Sequence, residues 1–298
     1  MSRKRTKKNA SPRKEESSEV SWVTNLRPLT STVLLGVVLA AAICGLEQLK
    51  HYVYAQPEYR PAVKVELADL GEDDWVDREG WRARILDHIV VPQDKAWVEG
   101  ELLTNVAEQM AQSGWVSNVR RAWKERDGTI RLACDFRRPI AMVQTVDGSY
   151  IPVDKYGIRL PEKYDRVSSD LGWMRIIGVE ASIPKIGESF VDSESDAMAA
   201  VRVATLIFER QEISPWISSV DVTNFKGRRN KRENHIKLWT HDGKRIDWGS
   251  AIGEEVEEAS AEEKLQSISL LLKTGTLQAR ADVSIYPASV LVDWDESK

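Results

Sequence analysis

Four histidines and two cysteines, with several acidic pairs, are the groups in these 298 residues with the chemistry to hold a metal or move a proton. The histidines are His51, His88, His235 and His241. His235 and His241 fall on a stretch that reads as one strand, with a separation that by strand parity puts them on one face. With Asp242 or Asp247 they offer ligands, but no cysteine or third histidine completes a set. The pair reads as solvated surface, and no metal site is expected. Asp73-Asp74 and Glu257-Glu258 sit in charge runs, the mark of solvated faces. Cys134 reads as a small buried hydrophobe, and Cys44 lies in an apolar span, so the two are not expected to bridge. No Gly-x-Ser-x-Gly elbow, phosphate loop or His-Glu-x-x-His occurs. No catalytic residue and no cofactor is therefore expected, which leaves binding through shape. The basic run Lys226, Arg228, Arg229, Lys231 and Arg232 is either a solvated loop or a contact for an anionic polymer or membrane surface.

The elements that would position a binding surface begin with an uncharged stretch, 29–46. At about 1.5 Å per residue it makes a helix of roughly 27 Å, close to the hydrocarbon thickness of a bilayer. Before it lie Arg3, Lys4, Arg5, Lys7, Lys8, Arg13, Lys14 and Arg27 against Glu15, Glu16 and Glu19; after it come Glu47 and Lys50. Positive charge stays on the cytoplasmic side, so the N-terminus is expected inside and the rest of the chain outside. The formal net charge of −4 hides this two-sided distribution. The basic, Ser-rich tail, 1–28, cannot build a core. It either only fixes topology or also touches anionic lipid or a cytoplasmic partner. Residues 47–62 read as a connector, with His51, Tyr52, Tyr54 and Tyr59 suited to the membrane interface.

Beyond the connector, Val63, Val65 and Leu67 alternate with charges as a half-buried strand. Residues 71–77 read as an acidic loop. Trp81, Ile85 and Ile89 mark one face of a short helix. A clearer helix over 99–113 carries the stripe Leu102, Leu103, Val106 and Met110, with Gly114 as its stop. Val119, Arg121 and Trp123 then share one face of a strand. Asp127-Gly128 turns it, and Ile130, Leu132, Cys134 and Phe136 line the next. After Pro139 come a strand near 140–146, a turn at Asp147-Gly148 and a return strand to Val153. Further strands fall near 176–179 and 220–222. A helix over 195–209 has Met198, Val201, Thr205 and Phe208 on one face. A third hairpin pairs Ile236, Leu238 and Thr240 with Ile246 and Trp248. Ser260 with Glu263 forms a capping box for a helix whose stripe is Leu265, Ile268 and Leu272. Two apolar runs, 283–286 and 290–292, finish the pattern. The fold class is α+β: a transmembrane helix, a small strand–helix–helix–strand–strand unit over 63–138, and a mixed β-sheet unit with flanking helices over 139–298.

That small unit just outside a single span resembles a POTRA domain. Trp115-Val116, Val119, Arg121, the Asp127-Gly128 turn, Ile130-x-Leu132 and Arg137-Arg138-Pro139-Ile140-Ala141 resemble the FtsQ/DivIB cell-division proteins. So do 150–157, which match an aromatic-x-x-Val-Asp-x-x-Gly pattern, and, in order, Gly178, Gly187, the 195–209 helix, 243–249 and Lys264-Leu265. Val65 to Trp97 is longer and more acidic than in that family, and Ser284 stands where it often carries Arg. The resemblance implies a non-enzymatic bitopic scaffold of the divisome in the inner membrane. Its partners would be other bitopic division proteins, FtsB/FtsL-like, and the septal wall-synthesis complex, with lipid met through the span and no nucleic acid. It implies that the late helix and last strands receive the partner through Leu265, Ile268, Val283, Ser284, Ile285, Tyr286, Val290, Leu291 and Val292. In the opposite reading Ile285, Val290 and Val292 are buried in the sheet and nothing binds. A POTRA-bearing component of protein export or outer-membrane assembly is the alternative, but no string of amphipathic barrel strands follows. An outward-facing wall enzyme lacks its catalytic set. If the charge asymmetry fixes the topology, a reporter active only outside the cytoplasm, fused after Lys298, is active; an inactive fusion reverses the orientation.

Overall fold

The computed structural model describes residues 22–56, 63–71, 75–92, 97, 100–166, 173–285 and 291–293. The chain separates into two compact units, Met1–Arg60 and Pro61–Lys298. In the first, one helix, α1 (Trp22–Tyr54), runs for 33 residues. Its candidate span is Thr32–Val53, none of it buried. Among the described residues the span overlaps the predicted 29–46 and continues past Leu46, and the first part of the expected connector is helical. Leu46, Leu49, Tyr52 and Val53 carry the apolar character across Glu47 and Lys50, and nothing there breaks a helix.

The second unit contains two sheets. The smaller is built from β1 (Lys64–Leu67), α2 (Trp75–Arg78), α3 (Arg82–Leu86), α4 (Gly100–Gln112), β2 (Val116–Lys124) and β3 (Thr129–Phe136). Strand order is β1-β3-β2, with β1 parallel and β2 antiparallel to β3. The hairpin turns where expected: the Thr129 N–H donates to Asp127 Oδ1 at 3.0 Å, and Gly128 has φ +90°. Ile130, Leu132, Cys134 and Phe136 are buried, as are Leu102, Val106 and Met110 of α4. Two expectations fail. The acidic loop over 71–77 ends in α2, which buries Trp75 and Val76. The face assigned to Val119, Arg121 and Trp123 is broken by register shifts between Val116 and Asn118 and between Val119 and Arg121. After the second bulge Ala122, not Arg121, sits opposite core-facing Leu132. An extra residue reverses every side chain beyond it. Burial pushes the Cys134 thiol up to about 12, so it is an inert core group.

The larger sheet has eight strands, ordered β11-β10-β9-β8-β7-β6-β4-β5. In chain order these are β4 (Ala141–Gln144), β5 (Tyr150–Val153), β6 (Met174–Ile177), then α5 (Asp196–Phe208), β7 (Ile217–Asp221), β8 (Ile236–Thr240), β9 (Arg245–Gly249), α6 (Ala261–Thr274), β10 (Arg280–Asp282) and β11 (Leu291–Asp293). β4, β6 and β7 run parallel, and α5 packs on all three. Ser195 caps α5 by accepting from the Met198 N–H, and the capping box at Ser260 and Glu263 starts α6. The buried face of α5 is wider than the predicted stripe. Val201 is buried with Ala197, Ala200, Ala204 and Ile207, while Met198, Thr205 and Phe208 are half-buried at its border. Alanines give no periodic signal, yet they let the helix lie close on the sheet. In α6, Leu265 and Ile268 are buried as expected, joined by Leu271 in place of Leu272.

The two sheets meet around aromatic rings and two arginines. Trp81 stacks on Trp173 with centroids 5.3 Å apart and lies 5.2 Å from Trp115. Leu160 is fully buried in the core of the smaller sheet. Arg138 pairs with Glu79 at 2.6 Å, and Arg137 reaches the buried Asp154 at 3.3 Å. Asp154 also accepts the Tyr156 and Ile158 N–H groups at 2.9 Å each. Burial pushes its carboxyl above the ordinary aspartate value, against the opposing pull of the Ile158 and Tyr156 N–H groups and Arg137. A carboxyl with a raised folded pKa binds its proton more firmly folded than unfolded, so its contribution to stability falls as pH rises through that window. Asp154→Asn keeps an acceptor for both N–H groups and removes the titration. Urea unfolding of the variant should lose less stability than wild type between about pH 4 and about pH 7; parallel curves would contradict the assignment.

Candidate partner-binding sheet edge

A sheet of this kind presents two edges, and each leaves a row of backbone groups that must be paired, covered or solvated. The β5 edge is covered. Tyr150 and Tyr164 exchange N–H···O bonds at 2.7 and 2.8 Å, and the Leu160 N–H donates to the Pro152 carbonyl at 2.9 Å. The segment 158–164 thus lies along β5. The other edge is β11, paired antiparallel to β10 through Arg280 with Asp293, Ala281 with Val292 and Asp282 with Leu291. Among the described residues no strand lies beyond it.

Buried charges hold this edge in place. Asp247, on β9, is fully buried. Its Oδ1 accepts from Arg245 Nε and its Oδ2 from Arg280 Nε, each at 2.6 Å. One carboxylate therefore ties β9 to β10, and parallel pairing sets Arg280 beside Arg245 and Asp282 beside Asp247. Asp282 closes the turn that follows, accepting from the Ser284 N–H at 3.0 Å, Ser284 Oγ at 2.6 Å and Asn234 Nδ2 at 3.2 Å. A second ion pair ties in α6. Lys264 is fully buried, with Nζ 2.7 Å from Glu258 Oε2 and 5.3 Å from the Trp248 ring centroid. Glu258 also accepts from the Ser250 N–H at 3.0 Å and Ser250 Oγ at 2.9 Å. Its backbone bridges Ile285, and the Ala259 N–H donates to Ser284 O at 2.9 Å. Gly249 has φ +99°, and a Cβ there would meet the Glu258 carboxyl and lie 2.8 Å from Ser284 Cβ. Only glycine fits where β9 passes under this pair.

The nine residues named from sequence divide sharply. Leu265, Ile268 and Val283 are at most 2% exposed and pack inside the edge, with Leu265 also at the floor of a hollow beside α6. Ser284 is buried and bonded to Asp282. Ile285 is half-buried at the bridge to Glu258. Leu291 and Val292 lie in β11, while Tyr286 and Val290 lie outside the described residues. Of the predicted run 283–286, Val283 and Ser284 lie outside any strand and Ile285 makes an isolated bridge to Glu258; β10 sits just before it, at Arg280-Ala281-Asp282. Only Ala281 of those three is buried, so hydrophobicity points past the strand. Sequence reasoning gives Arg280, Asn234 and Asp282 no role and names Asp247 only as a possible ligand; for 280–282 the usable signal is the polar–apolar–polar alternation itself.

The other sequence candidates take structural places. His235 is half-buried and the exposed His241 flanks the far end of β8. Among the described residues no three metal-ligating groups converge. Within the basic run, Arg228 is a clamp. It bonds Asp196 Oδ2 at 2.6 Å, the Val222 carbonyl at 2.7 Å, the Thr223 carbonyl at 2.9 Å and the Gly178 carbonyl. Arg229, Lys231 and Arg232 are exposed. The sequence matches no protein-family model and no curated protein.

Removing one member of a buried ion pair leaves the other charge desolvated. Lys264→Ala should cost about 3 kcal/mol in denaturant unfolding, the low end for such a break because Ser250 still serves Glu258. A loss under about 0.5 kcal/mol would mean the pair does not hold α6 to the edge.

Proposed function

We propose that this chain is a membrane-anchored, non-enzymatic scaffold that receives a strand of a bitopic partner along β11. The observation that carries the reading is the asymmetry of the larger sheet: β5 is covered by 158–164, while β11 ends the sheet uncovered among the described residues and is braced by buried ion pairs. An added strand gains main-chain hydrogen bonds at such an edge, and specificity then comes from neighbouring side chains. The candidate span of α1 supplies the anchor. The basic excess before it favours a cytoplasmic N-terminus and an extracytoplasmic folded unit, in an inner membrane.

The smaller sheet, β1-β3-β2 with helices between its first two strands, supports a POTRA-like reading. Together with the resemblance to the FtsQ/DivIB proteins, this makes cell division the process we propose, with FtsB/FtsL-like bitopic proteins and the septal wall-synthesis complex as the assembly recruited. Proline within β11 removes a ladder donor and is tolerated poorly inside a pairing strand. The Leu291→Pro protein should stay folded, reach the membrane and lose co-purification of the bitopic partner and recruitment to the division site. A photo-crosslinker at Leu291 should capture that partner, and one at Tyr150 on the covered edge should not. Retained co-purification in Leu291→Pro, or equal capture from both edges, sinks the proposal.

A further inference from the structure

Two adjacent loops of opposite charge lie at one end of the larger sheet. β8 begins and β9 ends there, with Ile236 opposite Gly249. The loop that enters β8 carries the basic run 226–232, and the loop that leaves β9 carries the acidic run 254–258. The two touch where Lys226 Nζ lies 3.5 Å from Glu254 Oε1. Each loop is fixed by its own bonds. Buried Asn224 donates to the Asn230 and Glu233 carbonyls at 2.9 and 3.1 Å and accepts the Arg229 and Asn230 N–H groups at 2.9 and 2.7 Å. On the acidic side the Glu254 N–H donates to the Ala251 carbonyl at 2.9 Å, and Lys264 and Ser250 hold Glu258. The exposed charges therefore stand on a frame that needs little further ordering to bind.

Several of these charges are already matched within the chain. Arg228 pairs with Asp196, Arg229 with Glu180 at 3.5 Å, and Glu233 with Lys237 at 2.7 Å. Lys231 and Arg232 on one loop and Glu257 on the other enter no ion pair among the described residues, and all three are exposed. Glu255 accepts only the Gly253 N–H at 2.6 Å, and Val256 between the acids is 81% exposed. A polyanion drawn to Lys231 and Arg232 would meet Glu254, Glu255 and Glu257 beside them, and a cationic partner would meet the reverse. The occupant that suits such a face carries both signs side by side in the opposite order. A twofold rotation generates that arrangement from the chain itself.

We propose that this bipolar end of the sheet is the contact surface for a second copy of the chain, each basic loop lying over the other copy's acidic loop. Two short loops make a small contact, so the pair is of the weak, transient class. The contact uses neither β11 nor α1 and stands apart from the edge reading.

The test uses the full chain in detergent, with self-association measured by sedimentation equilibrium at about 0.05 M and about 0.5 M salt. The wild-type chain should pair with a Kd below about 1 mM at low salt and at least about tenfold more weakly at high salt. Reversing the basic loop with Lys231→Glu and Arg232→Glu should weaken pairing at least about tenfold, because both loops are then acidic. Reversing the acidic loop with Glu254→Lys and Glu257→Lys should do the same. An equimolar mixture of the two reversed chains should restore pairing. Lys155→Glu with Lys185→Glu, the same charge change at exposed sites elsewhere, should leave it unchanged. A monomeric wild type, reversed chains that pair like wild type, a mixture that stays monomeric, or inorganic polyphosphate that binds the wild type and dissolves the pair overturns the proposal.

Discussion

A carboxylate withdrawn from water has to find donors, and the folded unit uses this need at four of the places where its elements join. Asp196 begins α5 and gathers the Glu180, Ala181 and Ala197 N–H groups together with Arg228. Asp154 closes the turn after β5 and draws Arg137 across from the end of the smaller sheet. Asp247 joins β9 to β10, and Glu258 joins the loop before α6 to the segment after β10. None of these pairs need add much net stability over a well-packed apolar alternative. Their effect is on uniqueness, because each rejects any arrangement that leaves the acid unpaired.

The same constraint decides what can be read from residue order. Local devices were legible. The Asp-Gly turn at 127–128, the capping box at Ser260 and the stripes of α4 and α6 each depend on residues a few positions apart. Long-range charge pairing was not. Arg228 looks like any member of a basic run until Asp196, far away in sequence, is brought beside it. The bulges in β2 were equally hidden, since an inserted residue leaves composition unchanged and only reverses the phase of alternation. The broad buried face of α5 escaped because its alanines are small and nearly neutral in hydropathy.

The candidate edge shows a further bias in sequence reading. Apolar runs announce burial, whereas the contact surface near the C-terminus is an expectation that only the family resemblance supplies. Leu265, Ile268 and Val283 are all buried. What an edge strand offers is backbone, which no residue type advertises. The side chains that fix such an edge are those that anchor its neighbours, here Arg245, Asp247, Arg280 and Asp282, and these are polar. The sheet's two ends differ because the segment 158–164 occupies one of them.

The shortness of β11 also limits how binding can work there. Three residues supply few ladder bonds, and short edge strands are one means by which proteins avoid indiscriminate pairing. A partner held only by β11 would bind weakly, and many extended segments would do equally well. Selectivity therefore has to come from side-chain surfaces outside the ladder. On α6, Leu270 is 61% exposed and lines a hollow of about 390 Å³ with Ile213, Gln266 and Ser269, crossed by the Arg210–Glu262 ion pair. That helix is anchored by Lys264 to the loop that brackets Ile285, so its outer face and the edge are held in one rigid frame. A chain that paired with β11 and continued as an amphipathic helix could use both, and the buried pair that seems to serve only stability would then set the angle between them.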